Sequence, residues 1–144
     1  MRKKLFIILS VLVLAGWAVY HFFISPYLRK MSEVRVVAFD QELTLFMGGG
    51  GNSGVFSGSR EVYVIDTKMA EPSTQLFNHA RQLAGERPII VINTHIHPDH
   101  VSGNWLYKGS RIYAGANYTP EVWKQQASAE SLPTDWVKDR LEID

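Results

Sequence analysis

Pro88-Ile89-Ile90-Val91-Ile92-Asn93-Thr94-His95-Ile96-His97-Pro98-Asp99-His100 is the stretch on which the reading of this chain turns. Its first part is a short β-rich apolar run opened by proline, the pattern of a strand buried on both faces. The strand's C-terminal end delivers an H-x-H-x-D-H cluster. Three of the five histidines fall inside six residues, beside one aspartate. Neutral imidazole and carboxylate are the side chains that bind divalent metals. Alternate residues of an extended chain project to one side, so His95 and His97 can grip one ion together. Asp99 and His100 come next, at an expected helix start, and can turn toward a second ion or support the first. Asp99 has a further expected role, orienting an activated water and accepting its proton. Zinc lowers the pKa of bound water from about 16 to roughly 7, which makes hydroxide available at neutral pH. Against a lone histidine the bland reading, a surface or packed ring, would prevail; against this spacing it does not.

The rest of the composition narrows the chemistry. The chain has 144 residues, a net charge of +1 and no cysteine. Thiolate metal sites, disulfides and thiol nucleophiles are therefore excluded, and no basic surface calls for nucleic acid. The serines have no spaced His and Asp partners, which leaves a serine hydrolase unsupported. Gly49-x-Gly51-x-x-Gly54 formally matches a dinucleotide fingerprint, but that motif must open a helix and here it leads into a strand.

Working outward, Glu61-Val62-Tyr63-Val64-Ile65-Asp66 reads as a second buried strand. Arg111-Ile112-Tyr113-Ala114 is another. Pro72 begins a helix carrying Leu76, Phe77, Ala80, Leu83 and Ala84 at helical spacing, and Gly85 ends it. Val34 to Phe39 and Leu43 to Met47 form a hairpin about Asp40-Gln41-Glu42, and the glycines at 48–51 turn the chain into a short strand at Gly54. A short helix is expected from Asp99 toward Leu106, another from Pro120, and a further helical piece over 135–141. Trp105, Tyr107, Trp123 and Trp136 read as packing residues, His79 as a surface or partly packed one. Strands first, then strand–helix–strand units, indicate an α/β (α+β layered) domain.

The N-terminus adds a different element. Arg2-Lys3-Lys4 precedes an apolar run over residues 5–24, long enough as a helix to cross the roughly 30 Å core of a bilayer. A basic start stays cytoplasmic and places the rest of the chain on the extracytoplasmic side. The alternative is a secretory signal cleaved near Gly16-Trp17-Ala18. Residues 1–24 are thus expected as an anchor or signal, 25–33 as a polar linker and 34–144 as the domain.

His95-x-His97-x-Asp99-His100 resembles the signature of the metallo-β-lactamase-fold hydrolases. Gly51-Asn52-Ser53-Gly54 with Val62-Tyr63-Val64-Ile65-Asp66-Thr67, Val91-Ile92-Asn93-Thr94, and Val101-Ser102-Gly103-Asn104 are similar to that superfamily over roughly residues 34–125. Ser102 stands where the family often has glycine. The resemblance implies a four-layer αβ/βα sandwich, with His95 and His97 on one zinc and Asp99 and His100 on a second. It also implies hydrolysis of a small-molecule substrate, such as a lactam, thioester, lactone, phosphoester or sulfate ester, by metal-bound hydroxide. Zinc is favoured by the imidazoles, and iron or manganese would suit a carboxylate-rich completion. The family adds a further histidine, a bridging carboxylate and a last histidine, whereas this chain has no histidine beyond His100. Asp135, Asp139 and Asp144 have no spacing that places them at the site. The expectation is the N-terminal half of the sandwich, with a sheet face left for a missing half or a partner to cover. The alternative is a non-catalytic metal-binding or interaction module.

Overall fold

The computed structural model describes residues 2–126 and 131–142. The chain divides into two compact units, Met1–Ser32 and Glu33–Asp144. In the first, helix α1 (Arg2–Val19) runs into a π-helical turn at Tyr20–Ile24 and then helix α2 (Ser25–Ser32). By length and composition, Lys3–Arg29 is apolar enough to cross a membrane, and none of it is buried. The polar linker expected at 25–33 is instead largely helical. Pro26 falls in the first turn of α2, where its missing N–H costs little. The π turn, closed by the Ser25 N–H on the Tyr20 carbonyl, widens the ladder where the proline ring would otherwise meet a carbonyl.

The second unit is built on one seven-stranded sheet among the described residues, with neighbours in chain order. Strands β1 (Val34–Ala38), β2 (Leu43–Gly48), β3 (Ser53–Ser57) and β4 (Val62–Ile65) form an antiparallel meander. Strands β5 (Ile89–Asn93), β6 (Arg111–Gly115) and β7 (Asp135–Val137) continue it in parallel with β4. Helix α3 (Ala70–Ala84) crosses from β4 to β5, and α5 (Pro120–Gln126) lies between β6 and β7.

Alternation decides which face is packed. Val62 and Val64 of β4, Ile89 and Val91 of β5 and Ile112 of β6 join Leu76, Ala80 and Ala84 of α3 in the main core. The intervening Tyr63, Ile90 and Tyr113 cluster on the opposite face with Ile92 and Val137. There Phe56 remains 37% exposed, beside an open cleft of about 490 Å³. Trp123 and Trp136 meet edge-on beneath Ala114 and Ile96, and Tyr107 is buried against Phe77. Trp105 departs from the expected packing role, being 52% exposed.

Two local expectations are corrected. Residues 135–137 form strand β7, not a helix, because the open edge of β6 pairs with them in register, Tyr113 opposite Asp135 and Gly115 opposite Val137. An Arg111–Asp135 ion pair at 2.7 Å joins the same strands. The helix expected from Asp99 to Leu106 is broken into α4 (Pro98–Val101) and a 3-10 turn at Asn104–Tyr107. The break falls at Gly103, whose N–H leaves the helix to bond the Lys68 carbonyl at 2.9 Å.

His79 gives the core a pH dependence. Its ring sits edge-on to Phe46, centroids 5.2 Å apart, with Nε2 buried and without a hydrogen-bond partner among the described residues. Burial lowers its pKa, so as pH falls the unfolded chain takes up this proton before the folded protein does. More protons on the unfolded state means stability lost as pH falls. His79→Phe is expected to shrink the drop in Tm of the metal-free protein between pH 7 and pH 5.5. An unchanged drop would remove His79 from the account.

Candidate metal centre

The parallel strands β4 and β5 end side by side, so the residues at their C-terminal ends converge, as ligand sites do at the carboxyl ends of open α/β sheets. Asp66 directly follows β4, and the histidine run follows β5. Asp66 is buried. Its Oδ1 accepts the Thr94 N–H at 2.8 Å, and its Oδ2 accepts the Thr94 hydroxyl at 2.6 Å. The same Oδ2 lies 2.7 Å from His100 Nδ1. Thr94 Oγ1 also lies 3.0 Å from His95 Nδ1.

With Asp66 as a carboxylate and both rings neutral, these contacts assign the proton positions. The Thr94 hydroxyl gives its hydrogen to Asp66, so its oxygen accepts from His95 Nδ1–H. His100 Nδ1–H likewise donates to the carboxylate. In the tautomers that this network requires, both rings keep the Nε2 lone pair for a ligand. One buried carboxylate thus prepares two imidazoles, the kind of outer support that orients ligands in metal sites.

The rings gather closely. His95 and His100 have centroids 3.9 Å apart, and His95 and His97 4.7 Å. Donor atoms of Asp66, His95 and His100 all lie within 4.8 Å of one another. His97 is exposed at the start of α4 and outside that tightest set. Asp99 lies with Oδ2 3.4 Å from His100 Nε2 and its side chain 36% exposed. Pro98 occupies the first helical position, where its fixed φ starts the turn that separates the two pairs. Asp135 lies in β7, paired with Arg111, and Asp144 lies outside the described residues.

The donor set suits a borderline divalent cation: nitrogen from three imidazoles and oxygen from carboxylates, without sulfur. The space also fits. A Cβ at Gly51 would lie 2.5 Å from His100 Nε2, so only glycine leaves that nitrogen approachable. Behind the site, Asn93 and Asn104 exchange side-chain bonds at 2.8 and 3.2 Å. Thr67 Oγ1 donates to Asn104 Oδ1 at 2.8 Å, and the Thr67 N–H holds the His100 carbonyl at 2.7 Å.

Reading the histidine run alone misses Asp66, Thr94 and Lys68. Asp66 has one visible signal, a carboxylate closing an apolar strand parallel to the strand that carries the cluster.

A model of the metallo-beta-lactamase superfamily matches residues 47–122, more than half of the chain. Solved structures with a similar fold include a metallo-beta-lactamase from Pontibacter korlensis, 14% identical with a TM-score of 0.61, over 78% of this chain and 56% of that one. FIM-1 from Pseudomonas aeruginosa, solved in a mono-zinc form, is 20% identical with a TM-score of 0.54, over 80% and 53%. DIM-1 is 20% identical with a TM-score of 0.56, over 74% and 52%. At these identities the likeness carries the fold, and the chain spans about half the length of these structures. No curated protein sequence matches the chain.

Proposed function

Because the chain belongs to the metallo-beta-lactamase superfamily, we propose that it is a zinc-dependent hydrolase acting at an ester, thioester, lactone or lactam carbonyl. The observation that carries this reading is the buried Asp66 carboxylate, which engages the Nδ1 of His100 directly and that of His95 through Thr94, so that each ring's Nε2 is the nitrogen left to bind a metal. His95 and His97 would hold one zinc, Asp99 and His100 a second. Zinc bound there supplies an acidified water and polarises the carbonyl oxygen. Asp99, about a third exposed beside His100, would orient the attacking water and take its proton. Thr94 and Asp66 keep the imidazoles from turning away. Four ligating side chains leave room for water and for further donors, and this chain covers only about half the length of the fold's solved relatives. A further stretch of chain, or a partner, would also fill the open cleft beside Phe56 on the opposite sheet face.

In this reading residues 34–144 form the hydrolase domain. The apolar N-terminal helix, with Arg2, Lys3 and Lys4 left in the cytoplasm, anchors it on the extracytoplasmic face of the membrane; a cleaved signal would release it on the same side. The test is metal content of the purified chain beside His95→Ala and His97→Ala, with turnover on an ester and lactam panel. Stoichiometric zinc lost in both variants is expected. Equal trace metal in all three would overturn the reading.

A further inference from the structure

The side chain of Lys68 is fully buried although it carries an amine. Its Nζ donates to the Gly48 carbonyl at 2.6 Å and to the Gly51 carbonyl, the two ends of the glycine turn between β2 and β3. Its main chain is tied to the other side of the site, since the Lys68 carbonyl accepts the Gly103 N–H and Thr67, one residue earlier, holds the His100 carbonyl. Three elements thus meet on one residue: the glycine turn, the β4–α3 connection and the segment just after the histidines.

The backbone around Lys68 is held in conformations that side-chain-bearing residues seldom adopt. Asp66, Lys68 and Ala70 have φ of 57°, 59° and 52°. Each such residue is strained and persists only where the surroundings over-determine it. Glycine would relieve the strain at 68, but glycine has no amine to reach the turn.

The turn in question lies directly against the candidate ligands. A Cβ at Gly51 would stand 2.5 Å from His100 Nε2, and one at Gly50 would stand 2.9 Å from Asp99 Cβ. The clearance over His100 and Asp99 is therefore set by where this turn sits. Its flexible glycines cannot fix that position themselves.

We propose that Lys68 is a positioning residue of the metal centre, its amine binding both ends of the glycine turn so that the turn keeps a fixed clearance over His100 and Asp99. The role at the metal rests on the hydrolase reading above; the clamp itself does not. Burial pushes the Lys68 pKa down to about 8, opposed by the carboxylates of Asp66 and Asp99. The clamp survives either protonation state, because a neutral amine still has two hydrogens for two carbonyls.

The experiment uses the full chain in detergent and the variant Lys68→Met, which keeps the length of the side chain and removes the donors. In metal-free protein, deuterium exchange at the Gly48 amide, which donates to Asn52 Oδ1 across the glycine turn, is expected to accelerate at least tenfold, with unchanged exchange in β5. With metal, the zinc Kd should weaken about tenfold, in the range seen when outer supports of metal ligands are removed. The visible spectrum of the cobalt-substituted protein should change as well. Unchanged exchange in the turn overturns the clamp whether or not the chain binds metal. Faster exchange with an unchanged zinc Kd and cobalt spectrum overturns the role at the metal alone. A wild-type chain that binds no zinc refutes the hydrolase reading and, with it, that role. If Lys68→Met does not fold, Gly51→Ala decides, since it leaves Lys68 intact and places a methyl against His100 Nε2. Zinc affinity within twofold of wild type in that variant would overturn the proposal, and a loss of tenfold or more is expected.

Discussion

Asp66→Asn is expected to cost 10- to 100-fold in zinc affinity while leaving the fold in place. The substitution changes almost no volume, so the whole effect lies in one oxygen becoming an NH2. The Thr94 N–H cannot reverse its polarity, and an amide oxygen must therefore take the Oδ1 position. That puts the amide nitrogen at the Oδ2 position, against the Thr94 hydroxyl and His100 Nδ1. A donor now faces Nδ1, so the His100 proton moves to Nε2 and the lone pair meant for the metal is gone. The Thr94 hydroxyl loses its acceptor as well and turns its hydrogen to His95 Nδ1, driving that ring to the same wrong tautomer. The opposite amide orientation sets NH2 against the Thr94 N–H, two donors face to face, at about 1–3 kcal/mol. Asp66→Ala removes the acceptor altogether and leaves buried donors unpaired, which should cost roughly 3 kcal/mol in stability besides the metal. Zinc Kd by chelator competition, read beside a thermal melt of the metal-free protein, separates the two. Affinity of Asp66→Asn within threefold of wild type would remove Asp66 from control of the ligands.

The contrast between Asp66 and the histidines explains how much of the site is legible in the sequence. His95, His97, Asp99 and His100 announce themselves because the proposed ligands are close along the chain as well as in space. The strands are readable for a similar reason: runs such as Val62 to Ile65 and Ile89 to Ile92 are buried on both faces, and their apolar content is continuous. Asp66 and Lys68 are separated from the cluster by the length of α3 and a turn. Their roles come from strand adjacency, which no local pattern records. β7 escapes a sequence reading because its three residues carry no alternation of their own and acquire strand geometry only from the free edge of β6. The α2 segment reads as a linker on the strength of Pro26 and the basic pair Arg29-Lys30, and the π turn that accommodates the proline has no sequence signature. Local physics thus reports the elements and the ligand run. The side chains that hold those ligands in the right tautomer and at the right clearance are reported only by the assembled sheet.

The same assembly makes Gly103 the position least tolerant of a single methyl group. Gly103 has φ −83° and ψ −3°, an ordinary conformation for any residue, so nothing in its backbone demands glycine. The demand is spatial. A Cβ there would overlap the Thr67 carbonyl oxygen and stand 2.8 Å from Ser73 Cβ. The carbonyl belongs to the strained β4–α3 connection and Ser73 to the first turns of α3, so neither neighbour is a flexible side-chain end that could swing aside. Relief requires moving α4 away from the connection, which breaks the Gly103 N–H bond to Lys68 and the Thr67 N–H bond to the His100 carbonyl together. Overpacking with backbone displacement costs about 3 kcal/mol or more, equivalent to a fall in Tm of roughly 10–20 °C for a domain near this size. Metal binding should fail in parallel, because Asp66 and His100 lie on the two segments forced apart. Ser102→Ala, one residue away with no such neighbour demanded of it, should stay within about 0.5 kcal/mol of wild type. A metal-free melt of Gly103→Ala within 2–3 °C of wild type, a margin of roughly half a kcal/mol, would mean that the two segments are not packed against each other as described, and the support assigned to His100 would fall with that contact.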